Sequence, residues 1–334
     1  MQERYVYISF IMQYSAKILV PICVSSFLYN VKIITTLAKV RGGCRISDMQ
    51  TDDLLPIVDT HSHVQFPIYD GDREAVIKRA QEAGVRMLAV GTQISTSKAG
   101  IRLANENPEN IWATVGYHPN HLSDVWHHDE KEQSESNPER FDIKKLAELA
   151  ADPKVVAIGE CGLDYYRIKN LELGLPGQGI KERQKEVFLQ QANLAQDLNK
   201  ALMIHCRPSK GTDDAYEDLL DLLKVNSSKL RAVIHFYVGS PAITKKLVSA
   251  GFYFTFGGVV TFARDYDDSI KLISVERILL ETDCPYVAPK SQRGKRNEPA
   301  FIRETAGAVA GLKGMEIDEF LGTVYKNSKE VFKI

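Results

Sequence analysis

Eight short runs rich in β-branched and aromatic residues alternate with longer amphipathic runs between residue 57 and the C-terminus. The short runs are typical of buried strands, and the longer runs, with apolar residues every three or four positions, are typical of surface helices. The predicted strands are Ile57–His61, Val85–Gly91, Trp112–Tyr117, Val155–Glu160, Ala201–His205, Ala232–Phe236, Phe252–Phe256 and Arg277–Glu281. The predicted helices are Arg73–Ala83, Thr96–Glu106, Asp142–Ala151, Lys181–Leu198, Asp213–Lys224, Pro241–Ala250, Tyr266–Ile273, Ala300–Leu312 and Ile317–Phe332. Eight strands, each followed by a helix, predict an α/β protein with a (β/α)8 TIM barrel, and a doubly wound parallel sheet is the second choice.

Two polar or glycine-rich stretches interrupt this alternation. His121–Arg140 is rich in His, Asp, Glu and Ser, and Ile168–Gly179 contains three glycines and a proline. Such compositions are typical of exposed loops, so both stretches are predicted to be loops inserted into the barrel.

The first 48 residues differ from the rest of the chain, because they contain six basic and only two acidic residues. The uncharged run Ile18–Val31 is shorter than the roughly 18–20 apolar residues of a membrane span, and Pro21 and Asn30 interrupt it. Three interpretations stay open: a targeting or membrane-associated segment, a structural extension, or an upstream translation artefact with Met49 as the start. We therefore divide the chain into an N-terminal extension, 1–48, and a barrel domain, 49–334.

Charge and cysteine content exclude several classes of protein. The chain has 42 basic and 43 acidic residues, so no overall positive charge is available to attract nucleic acid, and binding would need a local basic patch. Five widely spaced cysteines without a C-x-x-C motif argue against a disulfide framework and a thiolate zinc site. A reducing, cytoplasmic location is expected.

Unusual polar residues follow five of the predicted strands at their carboxyl ends, where a TIM barrel gathers its active site. In an extended strand, the residues of an H-x-H motif point to the same side, so two imidazoles can reach one ion. The predicted metal ligands are His61, His63, Glu160, His205, His235 and Asp283. Imidazoles and carboxylates suit Mg, Mn or Zn in an open catalytic site.

One or two divalent ions are expected. Six ligands exceed the needs of one catalytic ion, so two ions that share a carboxylate are the simplest interpretation. Glu160 is central in the strand order and is predicted to bridge them, while Asp283 both holds an ion and accepts a proton from the attacking water. Cys161, Cys206 and Cys284 each follow a predicted ligand, and strand alternation predicts that they point the opposite way, into the layer between the barrel and the helices.

Basic residues near the predicted ligands indicate an anionic substrate. The stretch from Cys284 to Asn297 contains four basic residues and no acid, and Arg207 follows His205; the four are Lys290, Arg293, Lys295 and Arg296. Cationic side chains beside two metal ions fit a phosphate ester, whose non-bridging oxygens they can bind. His118 is a further candidate for substrate contact, whereas the histidines at 127 and 128 are expected in a solvated loop.

The combined motifs resemble the TatD family of metal-dependent deoxyribonucleases. The motifs are Asp59-Thr60-His61-Ser62-His63, Gly159-Glu160-Cys161-Gly162-Leu163-Asp164-Tyr165, Ile204-His205-Cys206-Arg207, His235-Phe236, Glu281-Thr282-Asp283-Cys284-Pro285-Tyr286 and Arg296-Asn297-Glu298-Pro299. The resemblance runs from about residue 57 to residue 332. It implies hydrolysis of DNA phosphodiester bonds, exonucleolytic and with a preference for 3′ ends, and it assigns the same six metal ligands. It also implies substrate contacts by Arg207, Arg296 and Asn297.

The sequence departs from the family between Phe236 and Ser240, where the Cys-Phe-Ser-Gly that often surrounds the strand-6 histidine is replaced. Other functions therefore stay open: an amidohydrolase or an aminoacyl-tRNA deacylase on the same barrel, and a non-catalytic protein that binds metal or nucleic acid. The expected partner is DNA, bound through its phosphates and without base specificity.

Overall fold

The structure is a computed structural model that describes residues 54–122, 129–133, 139–166, 168, 176–223 and 230–334. The predicted N-terminal extension and the histidines at 127 and 128 lie outside the described residues. Residues 55–334 form one compact unit. No helix among the described residues combines the length and the apolar character that a membrane span requires.

Eight parallel strands form one sheet in which each strand pairs with the next along the chain. They are β1 (Ile57–Ser62), β2 (Val85–Val90), β3 (Ile111–Val115), β4 (Val155–Asp164), β5 (Ala201–Arg207), β6 (Ala232–Ile234), β7 (Tyr253–Phe256) and β8 (Ile278–Leu280). The predicted number and order of strands are confirmed.

The sheet closes on itself between its first and last strands. Ser62 forms a parallel bridge with Cys284, and the amide of Asp283 donates to the carbonyl oxygen of His61 over 2.9 Å. The amide of His63 donates to the carbonyl oxygen of Cys284 over the same distance. This closure confirms the TIM barrel, because a doubly wound sheet would leave both edge strands unpaired.

Helices follow the strands as predicted. They are α1 (Arg73–Glu82), α2 (Ile94–Glu106), α3 (Ile143–Ala150), α4 (Pro176–Asp197), α5 (Asp214–Leu223), α6 (Pro241–Ser249), α7 (Asp267–Leu272), α8 (Ile302–Lys313) and α9 (Ile317–Phe332). Short polar side chains begin two of them: Asp142 accepts hydrogen bonds from the amides of Lys144 and Lys145, and Ser240 accepts one from Ile243.

Several boundaries differ from the prediction by a few residues; β4, for example, was predicted to end at Glu160 and extends to Asp164. The loop predicted over Ile168–Gly179 is too long at its C-terminal end, because α4 begins at Pro176. Proline is compatible with the first turn of a helix, where its missing N–H is not needed, and this outweighs the glycines that indicated a loop. Strand β6 ends at Ile234, and Phe236 has a φ of 46° that no extended strand can contain.

Alternate side chains of the strands enter two apolar layers. Leu202, Ile204 and Cys206 belong to the large layer between strands and helices, whereas Ala201 and Met203 belong to a smaller cluster with Leu88, Val233 and Leu279 inside the barrel. Val331 and Phe332, at the end of α9, join the inner cluster. Apolar side chains therefore fill the barrel interior, and the polar residues of β1, β4 and β5 are left at the carboxyl ends.

The three cysteines that follow predicted ligands are all buried in the outer layer, as the alternation predicts. Burial raises the pKa of the Cys284 thiol to about 12, and burial also raises the pKa values of Cys161 and Cys206. These thiols are therefore neutral packing groups and not metal-binding thiolates.

Candidate active site

Two histidines from the end of β1 converge on one point at the carboxyl end of the barrel. The Nε2 atoms of His61 and His63 lie 3.2 Å apart, and both side chains are buried. The Nδ1 atom of His63 lies 2.8 Å from the carbonyl oxygen of Val90 on β2. This contact makes Nδ1 the donor and leaves Nε2 with its lone pair toward the site, as a metal ligand requires.

Glu160 lies between two groups of histidines. Its Oε2 atom is 3.3 Å from His61 Nε2 and 3.8 Å from His63 Nε2. Its Oε1 atom faces the other way and lies 2.8 Å from His235 Nε2, 3.1 Å from His205 Nδ1 and 3.3 Å from His118 Nε2. One carboxylate therefore contacts both groups, each through a different oxygen.

Asp283 lies beside the first group. Its Oδ1 atom is 3.5 Å from His63 Nε2 and 3.9 Å from His61 Nε2, and 16% of its side chain is exposed toward the cavity. The backbone of Asp283 has a φ of 53°, in the left-handed region that Asp tolerates better than most residues. The structure thus brings all six predicted ligands to one place, and His118, predicted to contact the substrate, lies beside them.

Close approach of the backbones of β4 and β5 accounts for the central position of Glu160. The pairing of these strands shifts between Ile158 and Cys161, and Gly159 and Gly162 in this stretch have φ values of 135° and 146°. A Cβ atom on Gly162 would lie 1.9 Å from the carbonyl oxygen of His205. Only glycine fits there, and its absence of a side chain lets Glu160 and His205 meet.

Three further carboxylates support the site, and they were quoted in the motifs without an assigned role. Asp164 Oδ2 lies 3.2 Å from His205 Nε2 and fixes the orientation of this ring. Glu281 accepts hydrogen bonds from the Phe236 amide over 2.8 Å and from the Thr255 hydroxyl over 2.5 Å. The sequence did contain a signal for these roles. Asp164 is four residues from Glu160 and Glu281 is two from Asp283, and side chains separated by an even number of residues in a strand point to the same side.

Asp59 joins the ends of β1 and β8 below the histidines. Its carboxyl group accepts hydrogen bonds from the amide and the hydroxyl of Thr282, over 2.9 and 2.5 Å, and from the amide of His61 over 3.2 Å. Burial raises the pKa of Asp59 to about 8, although these hydrogen bonds oppose the shift. Asp59 holds the two strands that carry the H-x-H motif and Asp283.

Burial and pairing shift the pKa values of the central groups in different directions. Burial alone raises the pKa of Glu160, but its interactions with His235, His118 and His61 outweigh burial and hold the pKa well below its usual value. Burial lowers the pKa of His118 to about 4 despite the nearby Glu160. Glu160 is therefore an anion and His118 is neutral at pH 7, which are the forms that bind a cation.

The site opens into a cavity of about 230 Å³. Besides the groups described above, its lining includes Arg207, Tyr286 and two acids of the polar insert, Asp129 and Glu132. The hydroxyl of Tyr286 donates to Asp129 Oδ2 over 2.7 Å, and Glu132 Oε1 lies 2.9 Å from His121 Nε2. The described residues of the insert therefore bring two paired carboxylates to the cavity lining, and Arg207 supplies positive charge.

The structure does not bring Arg296 and Asn297 into this cavity lining. The guanidinium of Arg296 donates two hydrogen bonds to the carboxylate of Asp72, over 2.9 and 2.6 Å, and lies 4.3 Å from the centre of the Tyr69 ring. The amide of Asn297 is buried and donates to the carbonyl oxygens of Thr282 and Tyr286, over 2.8 and 2.7 Å. Both side chains anchor the chain that follows β8.

The other predicted basic residues are also outside the described cavity lining. The guanidinium of Arg293 lies 4.2 Å from the centre of the Phe262 ring, and Lys295 donates to Gln292 Oε1 over 3.0 Å. The side chain of Lys290 is exposed. Arg207 is the predicted basic residue that the structure places in the cavity lining.

The donor atoms of the site fit divalent metal ions. Three combinations of side chains bring their ligand atoms within 4.8 Å of one another: His61 with His63 and Glu160, His61 with His235 and Asp283, and His118 with Glu160 and His205. Among the described residues, the buried Nδ1 atoms of His61 and His235 have no hydrogen-bond partner, and in the tautomer that carries the proton on Nδ1 each Nε2 atom presents its lone pair to the site. Nitrogen and carboxylate ligands without sulfur suit Mg, Mn or Zn.

Comparison with known proteins gives the same family for the whole barrel. The model of the family described as "TatD related DNase" matches residues 58–333. An uncharacterised metal-dependent hydrolase of Bacillus subtilis, YabD, is 35% identical over 282 residues, which are 83% of this chain and 99% of the relative. A protein of Erwinia tasmaniensis named 3′-5′ ssDNA/RNA exonuclease TatD is 33% identical over 272 residues, which are 79% of this chain and 94% of the relative.

A solved structure is similar over the same region. The crystal structure of the TatD homologue YJJV from Escherichia coli matches with a TM-score of 0.66 and 26% identity, and the match covers 83% of this chain and 98% of that one. The family model spans most of the chain, and the relatives align over nearly their full lengths. This chain therefore belongs to the TatD family of metal-dependent hydrolases.

Proposed function

We propose that this protein is a nuclease that hydrolyses phosphodiester bonds in DNA and removes nucleotides from the 3′ end of a single strand. The observation that carries the proposal is the position of Glu160, whose two oxygens face two separate groups of histidines. The name of the Erwinia tasmaniensis relative supports the choice of substrate and polarity at 33% identity.

Two divalent ions are part of this proposal. The first would be held by His61, His63 and Asp283, the second by His205 and His235, and Glu160 would contribute to holding both. His118 lies beside the second group as a further imidazole. Bound there, such ions would supply Lewis-acid stabilisation of the phosphoryl oxygens and make a water molecule nucleophilic at neutral pH.

The side chains of the site have separate roles in the proposed reaction. Asp283 Oδ1 accepts a proton from the attacking water, since this carboxylate is exposed to the cavity and belongs to the group nearest to His63. The guanidinium of Arg207 binds the non-bridging oxygens of the scissile phosphate. Asp164 and Asp59 position His205 and the ends of β1 and β8 through the hydrogen bonds described above.

The test uses the full-length protein with single-stranded oligonucleotides labelled at the 3′ or the 5′ end, in Mg or Mn and in EDTA. We expect stepwise shortening from the 3′ end that requires metal and that falls by on the order of 10²–10³-fold in Asp283→Asn. The matched control is Asp268→Asn, which changes a carboxylate on α7 that is 81% exposed and should leave the rate unchanged.

The same oligonucleotides made of RNA, together with a blunt duplex, define the substrate class in parallel. Absence of DNA cleavage in every metal, with folded protein that binds metal, would overturn the proposal. Small esters, amides and aminoacyl-tRNA would then become the substrates to examine.

A further inference from the structure

Tyr166 is a large aromatic residue that the fold leaves half exposed beside the active site. Tyr166 is the second residue after β4 and is 51% exposed, whereas the preceding Tyr165 is 2% exposed. Tyr166 comes two residues after Asp164, which contacts His205. An exposed aromatic ring in contact with a cavity-lining cation offers a flat apolar surface on which a planar ligand group can stack.

Arg207 links this ring to the cavity. The guanidinium carbon of Arg207 lies 3.9 Å from the centre of the Tyr166 ring, and the same side chain lines the cavity. The backbone of Arg207 is fixed, because its carbonyl oxygen accepts a hydrogen bond from the Tyr165 amide over 2.8 Å. A planar guanidinium stacked on an aromatic ring is held in one orientation while its N–H groups stay available to an anion.

Tyr286, which also lines the cavity, provides a contrast. Its hydroxyl donates to Asp129, and the ammonium group of Lys131 lies 5.0 Å from the centre of its ring. Tyr286 is therefore held by the insert from two sides. Tyr166 has half of its surface open, so of these two aromatic residues it is the one with surface for a further stacking partner.

We propose that Tyr166 and Arg207 form a nucleotide subsite, in which the exposed part of the Tyr166 ring stacks on a nucleobase next to the scissile phosphate. Arg207 binds the phosphate that belongs to the same nucleotide step. This inference rests on the proposed function and adds the residue that recognises a base. Stacking on an aromatic ring accepts any base, so the subsite distinguishes nucleic acid from other phosphate esters without reading sequence.

The position of the pair agrees with the charge of the cavity. Among the described lining residues on the insert side, Asp129 and Glu132 are carboxylates, and a phosphate is disfavoured directly beside them. Arg207 is registered with Asp164 across β4 and β5, so Tyr166 and Arg207 lie on the β4 and β5 side. A polyanion is therefore expected to enter along the Tyr166 side of the cavity.

The test compares Tyr166→Ala and Tyr166→Phe with the wild-type full-length protein. The substrates are single-stranded oligonucleotides that carry one abasic residue, moved stepwise along the strand. We expect Tyr166→Ala to raise KM by about tenfold on intact DNA with little change in kcat, and Tyr166→Phe to behave like the wild type. Where the abasic residue occupies the subsite, wild type and Tyr166→Ala should have the same KM.

The control is Tyr325→Ala on α9, a half-buried tyrosine that also lies near a cation, Lys329, and should have no effect on KM. An equal loss on intact and abasic substrates at all positions would mean that Tyr166 only orients Arg207, and would overturn the stacking subsite. An unchanged KM in Tyr166→Ala, with an active wild-type enzyme, would overturn it as well while leaving the nuclease proposal intact. Failure of the wild type to cleave any of the oligonucleotides would overturn both.

Discussion

Two regions near the end of β8 look equally functional in the sequence and are used differently in the structure. The first is the strand-end cluster, defined by His61, Glu160, His205 and Asp283 with their neighbours, whose polar atoms converge at one point. The second is the basic loop, residues 290–297, whose charged and amide groups mostly bind other parts of the same chain. One region is available to ligands, and the other stabilises the fold.

The difference follows from how each region is held. The side chains at strand ends are oriented by the hydrogen-bonded strands that carry them, so their spacing in the sequence determines which of them lie close together. Loop residues have no such constraint, and their direction depends on partners far away in the sequence, such as Asp72 for Arg296. A cluster of charges in a loop therefore indicates a function less reliably than the same charges at strand ends.

Glu160→Gln is expected to have the largest effect on metal binding and activity. If it had no effect, the strand-end cluster would not differ from the basic loop in function. The amide cannot supply two anionic oxygens to the two histidine groups, so bound metal and kcat should both fall, kcat by on the order of 10²–10³-fold. Metal content by elemental analysis and single-turnover cleavage of a 3′-labelled oligonucleotide measure the two effects. Near-normal metal content and activity would show that Glu160 does not bridge.

Glu330→Gln serves as the matched control for this substitution. Glu330 is exposed on α9, so the control removes the same charge far from the cluster. Circular dichroism of both variants checks that the fold is retained. The control should keep its metal and its rate.

Asn297→Ala tests the second region and should affect stability more than substrate binding. The substitution leaves the buried carbonyl oxygens of Thr282 and Tyr286 without their donor. We expect the free energy of unfolding to fall by about 2–4 kcal/mol, since each unsatisfied buried group costs about 1–3 kcal/mol. Urea denaturation measures this loss, and KM for the oligonucleotide is expected to change by less than about twofold in the folded fraction.

Asn105→Ala is the control for Asn297, because Asn105 donates to the carbonyl oxygen of Ile101 on the exposed surface of α2. Its loss should cost less than about 0.5 kcal/mol. A stable Asn297→Ala protein with a strongly raised KM would mean that Asn297 contacts the substrate and does not anchor the loop.

The same contrast explains which parts of the fold and of the site could be predicted from the sequence. The eight strands, their parallel order and the convergence of six polar residues were predictable, because period-two alternation and the rule for barrel active sites are local and general. The end of β6 and the start of α4 were not, since they depend on the φ of Phe236 and on a helix that begins at Pro176 within a glycine-rich stretch. Stacking of Arg207 on Tyr166 is a long-range contact that no spacing rule contains.

Asp214 is a carboxylate near the end of β5 that stabilises the fold, as the basic loop does, because it anchors its own loop. It accepts hydrogen bonds from the amide and hydroxyl of Ser209, over 2.9 and 2.8 Å, and from Lys181 over 3.0 Å. Partial burial raises its pKa, but these hydrogen bonds outweigh burial and bring the pKa to about 2, below its ordinary value of 3.8. The ionised form is therefore favoured more in the folded than in the unfolded protein.

The sign of the pH dependence follows from this lowered pKa. The stabilisation by Asp214 is complete above about pH 4 and is lost as the pH falls through the folded pKa near 2. Asp214→Asn should lower the free energy of unfolding by about 1–2 kcal/mol at pH 7, after allowance for solvent screening, and by less at pH 3. Asp268→Asn should show no such dependence, and a difference for Asp214→Asn that stays constant with pH would contradict the assignment.

Arg296→Ala should have the smallest effect and bears most directly on the basic loop. Its partner Asp72 is 42% exposed, and partly exposed ion pairs contribute about 0–1 kcal/mol, to which stacking on Tyr69 adds about 0.5–1 kcal/mol. We expect a loss of about 1 kcal/mol in stability that is not additive with Asp72→Ala, because both substitutions remove the same contact. KM for the oligonucleotide should change by less than about twofold, since the guanidinium faces Asp72 and not the cavity. A KM raised by about tenfold without loss of stability would instead place Arg296 on the substrate, and the basic loop would then belong with the strand-end cluster.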